Sequence, residues 1–336
     1  MKKTSIALAL TALVATSAMA AEEVNVYSYR QPYLIEPILK NFEKDTGVKV
    51  NLIFDNKGLV ERLKREGELS PADVVLTVDI SRVMEVVNEG LAQAVKSDVL
   101  ESNIPAQYRD SGNQWFALTT RARAIYSSKE RVGKLPASFT YEDLANPKLK
   151  GKVCVRSGKH PYNLSLLASI IAHDGEAKAK AWLEGLKANL AQKPQGGDRD
   201  QVKAIKEGVC DYSLGNSYYF GKMLEDDKQR SWAEAVYINF PNQETTGTHV
   251  NISGAAVAKH APNKANAVKL LEYLSSDDAQ HQYAELNHEY PVKEGIEPSK
   301  LVQSWGSFKA DKLPLEKIAD NYKKAVKLVD EVNFDL

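Results

Sequence analysis

Apolar positions near the start of the chain switch between strand and helix spacing. Three segments have the alternation or the dense apolar run typical of strands, at residues 24–27, 48–54 and 73–78. Apolar residues at helical spacing follow each of them, at residues 38–42, 59–63 and 80–87. This order predicts a βαβαβ unit, in which an open parallel sheet carries helices on its faces.

A second unit of the same kind follows further along the chain. Strand patterns occur at residues 152–156 and 209–214, and helical patterns at residues 164–171, 202–206 and 218–224. Two further apolar, extended segments, at residues 115–126 and 249–257, are candidate crossover strands. The predicted fold is therefore α/β, with two doubly wound lobes joined by crossover strands and a cleft between the lobes.

The predicted lobes divide the chain discontinuously. Residues 21–121 with 248–300 form the first lobe, residues 122–247 form the second, and the helical residues 301–336 are assigned to neither. A length of 336 residues suits about two domains. The 44 Lys and Arg residues equal the 44 Asp and Glu residues, without a block of like charges. Charge therefore gives no reason to expect nucleic acid or an anionic membrane surface as a partner.

Residues 1–20 have the parts of a secretory signal peptide. Lys2 and Lys3 precede an apolar run at residues 6–15, and small residues lead to Ala20. We expect cleavage after Ala20, and no later stretch approaches the roughly 20 apolar residues that a transmembrane helix needs. No cysteine opens the mature chain, so a lipid anchor there is not indicated. The sequence predicts an exported protein of a bacterial periplasm.

The chain has two cysteines, Cys154 and Cys210. An oxidising compartment favours a disulfide between them. The alternative is two free buried thiols. Neither has another cysteine at the spacing of a zinc site.

Tyrosines occupy each loop predicted to lie at the carboxyl ends of the strands, where open α/β sheets bind ligands. These loops are residues 27–33, 157–163 and 215–219. Phenolate is a hard, anionic oxygen ligand, which suits Fe(III) better than zinc or copper. Three phenolates would balance a ferric ion and leave positions for an anion, held by helix N-termini and by Arg30, Arg121 or Arg123. Taken singly, each loop tyrosine is also explained by packing, and His160 by a surface or hydrogen-bonding role.

The three tyrosine segments together resemble periplasmic ferric-iron-binding proteins. These are the substrate-binding components of ferric ABC importers and have the class II periplasmic binding protein fold. The resemblance covers nearly the whole mature chain and implies that Tyr162, Tyr218 and Tyr219 ligate iron. Arg121 falls where related members place an arginine near the site.

One departure concerns the loop after Arg30. Relatives often have a His-Tyr pair there, whereas this chain has Gln31 and Pro32. We therefore expect three tyrosine ligands and a small anion such as carbonate, held by Arg30, Gln31 or Arg121. Tyr29, Tyr33 and His160 are additional candidates.

The resemblance implies a carrier that traps Fe(III) between its lobes, delivers it to an inner-membrane ABC permease and performs no catalysis. A monomer is expected. The alternative is a protein of the same fold that binds an anion or a small organic ligand. An exported enzyme is disfavoured, because the chain has no GxSxG or HExxH motif and no carboxylate pair in these loops.

Overall fold

The computed structural model describes residues 22–336, so the predicted signal peptide lies outside the described residues. The strands in this range are β1 (Glu23–Ser28), β2 (Lys49–Phe54), β3 (Val74–Thr77), β4 (Ala92–Gln93), β5 (Phe116–Ser128), β6 (Val153–Cys154), β7 (Tyr212–Asn216), β8 (Val236–Asn239), β9 (Val250–Ala258) and β10 (Tyr290–Pro291). The α-helices are α1 (Pro32–Thr46), α2 (Leu59–Glu66), α3 (Ile80–Asn88), α4 (Asp98–Asn103), α5 (Pro161–Asp174), α6 (Glu176–Ala188), α7 (Asp198–Lys206), α8 (Ser217–Glu225), α9 (Arg230–Glu234), α10 (Lys264–Leu274), α11 (Asp277–Asn287), α12 (Lys300–Gln303) and α13 (Leu315–Glu331).

The first three strands form the parallel unit that the sequence predicts. β1 lies between β2 and β3 and is parallel to both. β3 then pairs with the antiparallel strand β9. Val26 and Val74, which are neighbours on β1 and β3, are completely buried, as expected for strands that helices cover on both faces. The βαβαβ prediction for this region is confirmed.

Strand β5 connects the two halves of the sheet. Residues 116–122 of β5 pair with β9, whereas residues 123–128 pair with β7 and β8. β6 lies parallel to β7 at the far side. All of β5 is buried, so one long strand crosses from one half of the core to the other. The predicted α/β class with crossover strands is confirmed, while the exact lobe boundaries stay a prediction.

Three predicted element bounds were wrong. α1 begins at Pro32, so the predicted loop at residues 27–33 is shorter, and proline fits the first helical turn because its missing N–H has no partner there. β6 is limited to Val153–Cys154. β7 begins only at Tyr212, because Gly208 adopts a φ of 78° after α7 and the side chain of Val209 is 42% exposed.

A disulfide joins the second half of the sheet to the loop before β7. Cys154 and Cys210 are bonded, with their Cα atoms 5.9 Å apart, and both are buried. The predicted disulfide is confirmed. α13 packs along α5 and also contacts α3, so it touches helices of both predicted lobes. None of the helices within residues 22–336 combines the length and apolar character needed to cross a bilayer.

Candidate metal-binding site

Two helices begin beside each other at the carboxyl ends of β6 and β7. α5 starts at Pro161 after β6, and α8 starts at Ser217 directly after β7. Because β6 and β7 are parallel, both helix N-termini lie at the same edge of the sheet. The first turn of α5 carries Tyr162, and that of α8 carries Tyr218 and Tyr219.

The three tyrosines line one cavity of about 220 Å³. The hydroxyl oxygens of Tyr162 and Tyr218 are 3.4 Å apart. The ring centroids of Tyr218 and Tyr219 are 4.2 Å apart. Tyr162 and Tyr218 are buried, and Tyr219 is partly exposed. Side chains from the three predicted ligand positions therefore converge on one cavity.

Most of the other predicted site residues also line this cavity: Tyr29, Arg30, Gln31, Arg121 and His160. The hydroxyl of Tyr29 accepts a hydrogen bond from the backbone N–H of Val60, at 3.1 Å. Tyr33 does not line the cavity. It lies in the first turn of α1 with 49% of its surface exposed, because the helix starts one residue before it.

Arg30 and Arg121 share a buried carboxylate, that of Glu289. Arg30 forms an ion pair with Glu289, and Arg121 contacts the other carboxylate oxygen at 3.2 Å. Both guanidinium groups also donate to the hydroxyl of Ser253. Burial disfavours the charged form of Arg30, but the attraction to the carboxylate of Glu289 is stronger. The pKa of Arg30 is therefore raised above its ordinary value. These four residues, here called the Glu289 cluster, carry two positive charges and one negative charge.

A second cluster with the same charge pattern lies behind Tyr162. Asp198 accepts a hydrogen bond from Arg123 at 2.6 Å and one from Arg156 at 3.3 Å. Burial would raise the pKa of Asp198, but the two guanidinium groups hold it below its usual range. Arg156 lines the cavity directly. Arg123, Arg156 and Asp198 are here called the Asp198 cluster, which also has a net charge of one positive unit.

His160 caps the helix that carries Tyr162. Its Nδ1 accepts a hydrogen bond from the backbone N–H of Tyr162 at 3.2 Å, and the two rings meet edge to face at 4.5 Å. Burial, with Arg156 adding to it, lowers the pKa of His160 to about 3. The imidazole is therefore neutral at pH 7, and its Nδ1 is already used in the cap. This hydrogen-bonding role is the alternative that the sequence left open.

Tyr218 and Tyr219 keep their phenolic protons at neutral pH. Burial raises the pKa of Tyr218 well above 10, and Tyr162 and Tyr219 raise it further. Burial also raises the pKa of Tyr219. A bound cation must therefore displace these protons. Each ring has a guanidinium nearby that favours negative charge, at centroid distances of 5.9 Å for Arg121 on Tyr218, 5.4 Å for Arg156 on Tyr162 and 5.7 Å for Arg199 on Tyr219.

Conventional metal clusters do not occur elsewhere in the described residues. No group of three or more His, Cys, Asp or Glu side chains within residues 22–336 is arranged to hold a metal ion. The tyrosine cavity brings together phenol oxygens, a ligand type that suits a hard cation. The sequence did not identify Glu289, Asp198 or Arg156, since nothing in the local pattern marks them as members of one site.

Comparison with known proteins yields matches over most of the chain. A family model described as bacterial extracellular solute-binding protein matches residues 70–306. The chain is 44% identical over 316 residues to Iron uptake protein A1 of Synechocystis sp. The match covers 93% of this chain and 88% of that protein.

Solved structures are similar to this fold over nearly all of its length. The crystal structure of Pasteurella haemolytica apo ferric ion-binding protein A has a TM-score of 0.92 and 73% identity, and the match covers 94% of this chain and 99% of that one. A Trichodesmium protein solved in complex with iron and citrate ligands has a TM-score of 0.86 and 41% identity, with 93% of this chain and 99% of that one covered.

Proposed function

The chain belongs to the bacterial extracellular solute-binding protein family, and from that premise we propose that it captures ferric iron in the periplasm for import by an ABC transporter. Similar proteins carry the names iron uptake protein and ferric ion-binding protein. The observation within this chain that carries the proposal is the convergence of three tyrosines in one cavity. The protein is a carrier and not an enzyme, so iron is its cargo.

We assign Tyr162, Tyr218 and Tyr219 as the iron ligands. Two oxygens that bind a small octahedral cation at about 2 Å, at right angles, lie about 2.8 Å apart. The Tyr162 and Tyr218 hydroxyls, at 3.4 Å, need only a small movement to reach that arrangement. The neighbouring guanidinium groups compensate the loss of the phenolic protons.

The charges around the cavity support an anion as the fourth partner. Three phenolates balance the three charges of Fe(III), while the Glu289 cluster and the Asp198 cluster each have one positive charge in excess. Arg82, which also lines the cavity, and Arg199, near the Tyr219 ring, add further positive charge, so an anion such as carbonate is favoured there. We propose that Arg30, Gln31 or Arg121 holds it, at the N-termini of α5 and α8, and Arg156 is a further donor that lines the cavity.

The proposal also includes a cellular location, the periplasm, and a partner, the inner-membrane permease. The sequence at residues 1–20 supports export with cleavage after Ala20, and a monomeric carrier would deliver iron to the inner-membrane permease. Closure of the two lobes around the cargo would complete the site, as in other hinged binding proteins.

The test is an iron titration followed by visible absorption. The wild-type protein should develop a phenolate-to-iron charge-transfer band, and the Tyr218→Phe, Tyr219→Phe double variant should not. A band that survives in the double variant contradicts the assignment. If affinity for an anion or a small organic ligand is retained after all three tyrosines become Phe, the rival function of the same fold is favoured instead.

A further inference from the structure

The segment that follows α13 contacts the loop that precedes Tyr162. The carboxylate of Asp335 accepts two hydrogen bonds from this loop, one from the hydroxyl of Ser157 at 2.6 Å and one from the backbone N–H of Gly158 at 2.7 Å. Only Lys159 and His160 separate these anchored residues from α5, whose first turn holds Tyr162. The anchored residues therefore lead directly into the helical turn that carries Tyr162.

Phe334 packs against the same loop. Its side chain is buried, and a Cβ atom placed on Gly158 would lie 2.6 Å from the Phe334 ring. Glycine is what allows the ring to approach so closely. Lys187 of α6 donates to the carbonyl oxygens of Val332 and Asn333, at 2.9 and 2.6 Å, and so fixes the segment that presents Phe334 and Asp335.

The inner side of the loop is tied to the Asp198 cluster. The side-chain amide of Asn163 donates to the carbonyl oxygens of Arg156 and Ser157, at 3.1 and 3.2 Å. The amide oxygen of Asn163 accepts a hydrogen bond from Arg123 at 2.6 Å. The loop is thus held between a buried charge cluster on one side and the segment after α13 on the other.

We propose that Asp335 is a positioning residue for iron capture, which fixes residues 157–160 so that the Tyr162 hydroxyl meets those of Tyr218 and Tyr219. This inference rests on the proposed function. A functional constellation must be held within about 0.5 Å, and that precision comes from hydrogen bonds and packing behind the groups that touch the ligand. Without Asp335, water competes for the Ser157 hydroxyl and the Gly158 N–H, and the loop gains freedom.

The experiment compares Asp335→Ala with Asp330→Ala. Both changes remove one carboxylate near the end of the chain, but Asp330 lies in the last turn of α13 and its side chain pairs with Lys159, and both side chains of that pair are more than half exposed. Iron release to excess EDTA is followed with the charge-transfer band. We expect Asp335→Ala to release iron about tenfold faster and to shift the band, and Asp330→Ala to stay within about twofold of wild type.

Two further variants separate positioning from a general loss of structure. Asp335→Asn keeps one acceptor oxygen, so its iron release rate should lie between those of Asp335→Ala and wild type. Gly158→Ala should shift the band in the same direction as Asp335→Ala, because it displaces the loop from Phe334. The inference is overturned if Asp335→Ala leaves the release rate unchanged, or changes the rate without moving the band. Absence of any phenolate band in the wild type would overturn the proposed function, and this inference with it.

Discussion

The hydroxyl oxygen of Tyr162 lies 3.4 Å from that of Tyr218, although 56 positions separate the two residues. Their helices begin at the ends of adjacent parallel strands, which brings the two phenols to one edge of the sheet. At this distance one hydroxyl donates a hydrogen bond to the other, whereas two phenolates would repel each other unless a cation lay between them. Under the proposed function, a cation bound between them displaces the phenolic protons.

Removing one cavity phenol should weaken iron binding strongly. We expect Tyr162→Phe to lower the affinity for Fe(III) by at least about a hundredfold, since even groups behind the ligands typically change metal affinity by 10 to 100-fold. Competition titration with citrate measures the change. Tyr33→Phe is the matched control, because Tyr33 is exposed and does not line the cavity. An equal loss in both variants would contradict the ligand assignment.

Glu289 should be important for stability because it compensates two buried guanidinium groups. Glu289→Gln leaves the charges of Arg30 and Arg121 uncompensated, and we expect the free energy of unfolding to fall by about 3 to 5 kcal/mol. Chemical denaturation of the iron-free protein measures this. Glu331→Gln removes a partner of exposed lysines and should change the value by less than about 1 kcal/mol. A small effect of Glu289→Gln would show that solvent reaches the cluster.

His249 should make the protein less stable in mild acid. Burial, with Arg123 adding to it, lowers the pKa of His249 to about 3, whereas an unfolded chain has a value of about 6.5. Below about pH 6.5 the imidazole of His249 is protonated in the unfolded chain but stays neutral in the folded protein. The free energy of unfolding therefore falls as the pH drops from about 6.5 to about 3. At pH 5 the contribution is about 2 kcal/mol.

The measurement is the free energy of unfolding at pH 7 and at pH 5 in His249→Asn and in wild type. Between pH 7 and pH 5, the free energy of unfolding should fall by about 2 kcal/mol less in the variant than in wild type. This difference does not depend on the stability of the variant at pH 7. His260→Asn is the control, since it removes an exposed imidazole. Identical slopes in all three proteins would show that His249 is not kept neutral by the fold.

The disulfide should stabilise the half of the sheet that presents the tyrosines. It closes a loop with a sequence separation of 56 residues, and a loop of that length corresponds to about 4 kcal/mol in the chain-entropy description. The Cys154→Ala, Cys210→Ala double variant should therefore unfold at lower denaturant concentration. At pH 7 without denaturant its charge-transfer band should remain, because neither cysteine lines the cavity. A lost band in a folded double variant would show that the bridge also shapes the site.

Gly221 is required by a close contact between α8 and the residue after α11. A Cβ atom at this position would lie 2.4 Å from the ring of His288, whose Nε2 is 2.8 Å from a carboxylate oxygen of Glu225. We expect Gly221→Ala to destabilise the protein by about 1 to 3 kcal/mol. Adding His288→Ala makes room, so the two changes should cost less together than the sum of the single effects. Additive effects would rule out the contact as the cause.

Several features follow from the sequence alone because their causes are local. Apolar spacing locates the strands and helices of the first unit. Residues two positions apart share a face of a strand, whereas residues three or four apart share a face of a helix. The loops at residues 157–163 and 215–219 are identified because parallel strands end there, and the tyrosines in them are predicted iron ligands. The two cysteines pair because no others are present and export predicts an oxidising compartment.

Other features depend on contacts between distant residues. Tyr33 is excluded from the cavity because α1 begins at Pro32, a shift of a single turn that apolar spacing does not reveal. Glu289, Asp198 and Arg156 enter the site only because the folded chain buries charges that must find partners, and those partners are up to 259 positions away. The spacing of apolar residues indicates which face of a helix or strand is buried. Which residues cover that face is decided only when the whole chain has packed.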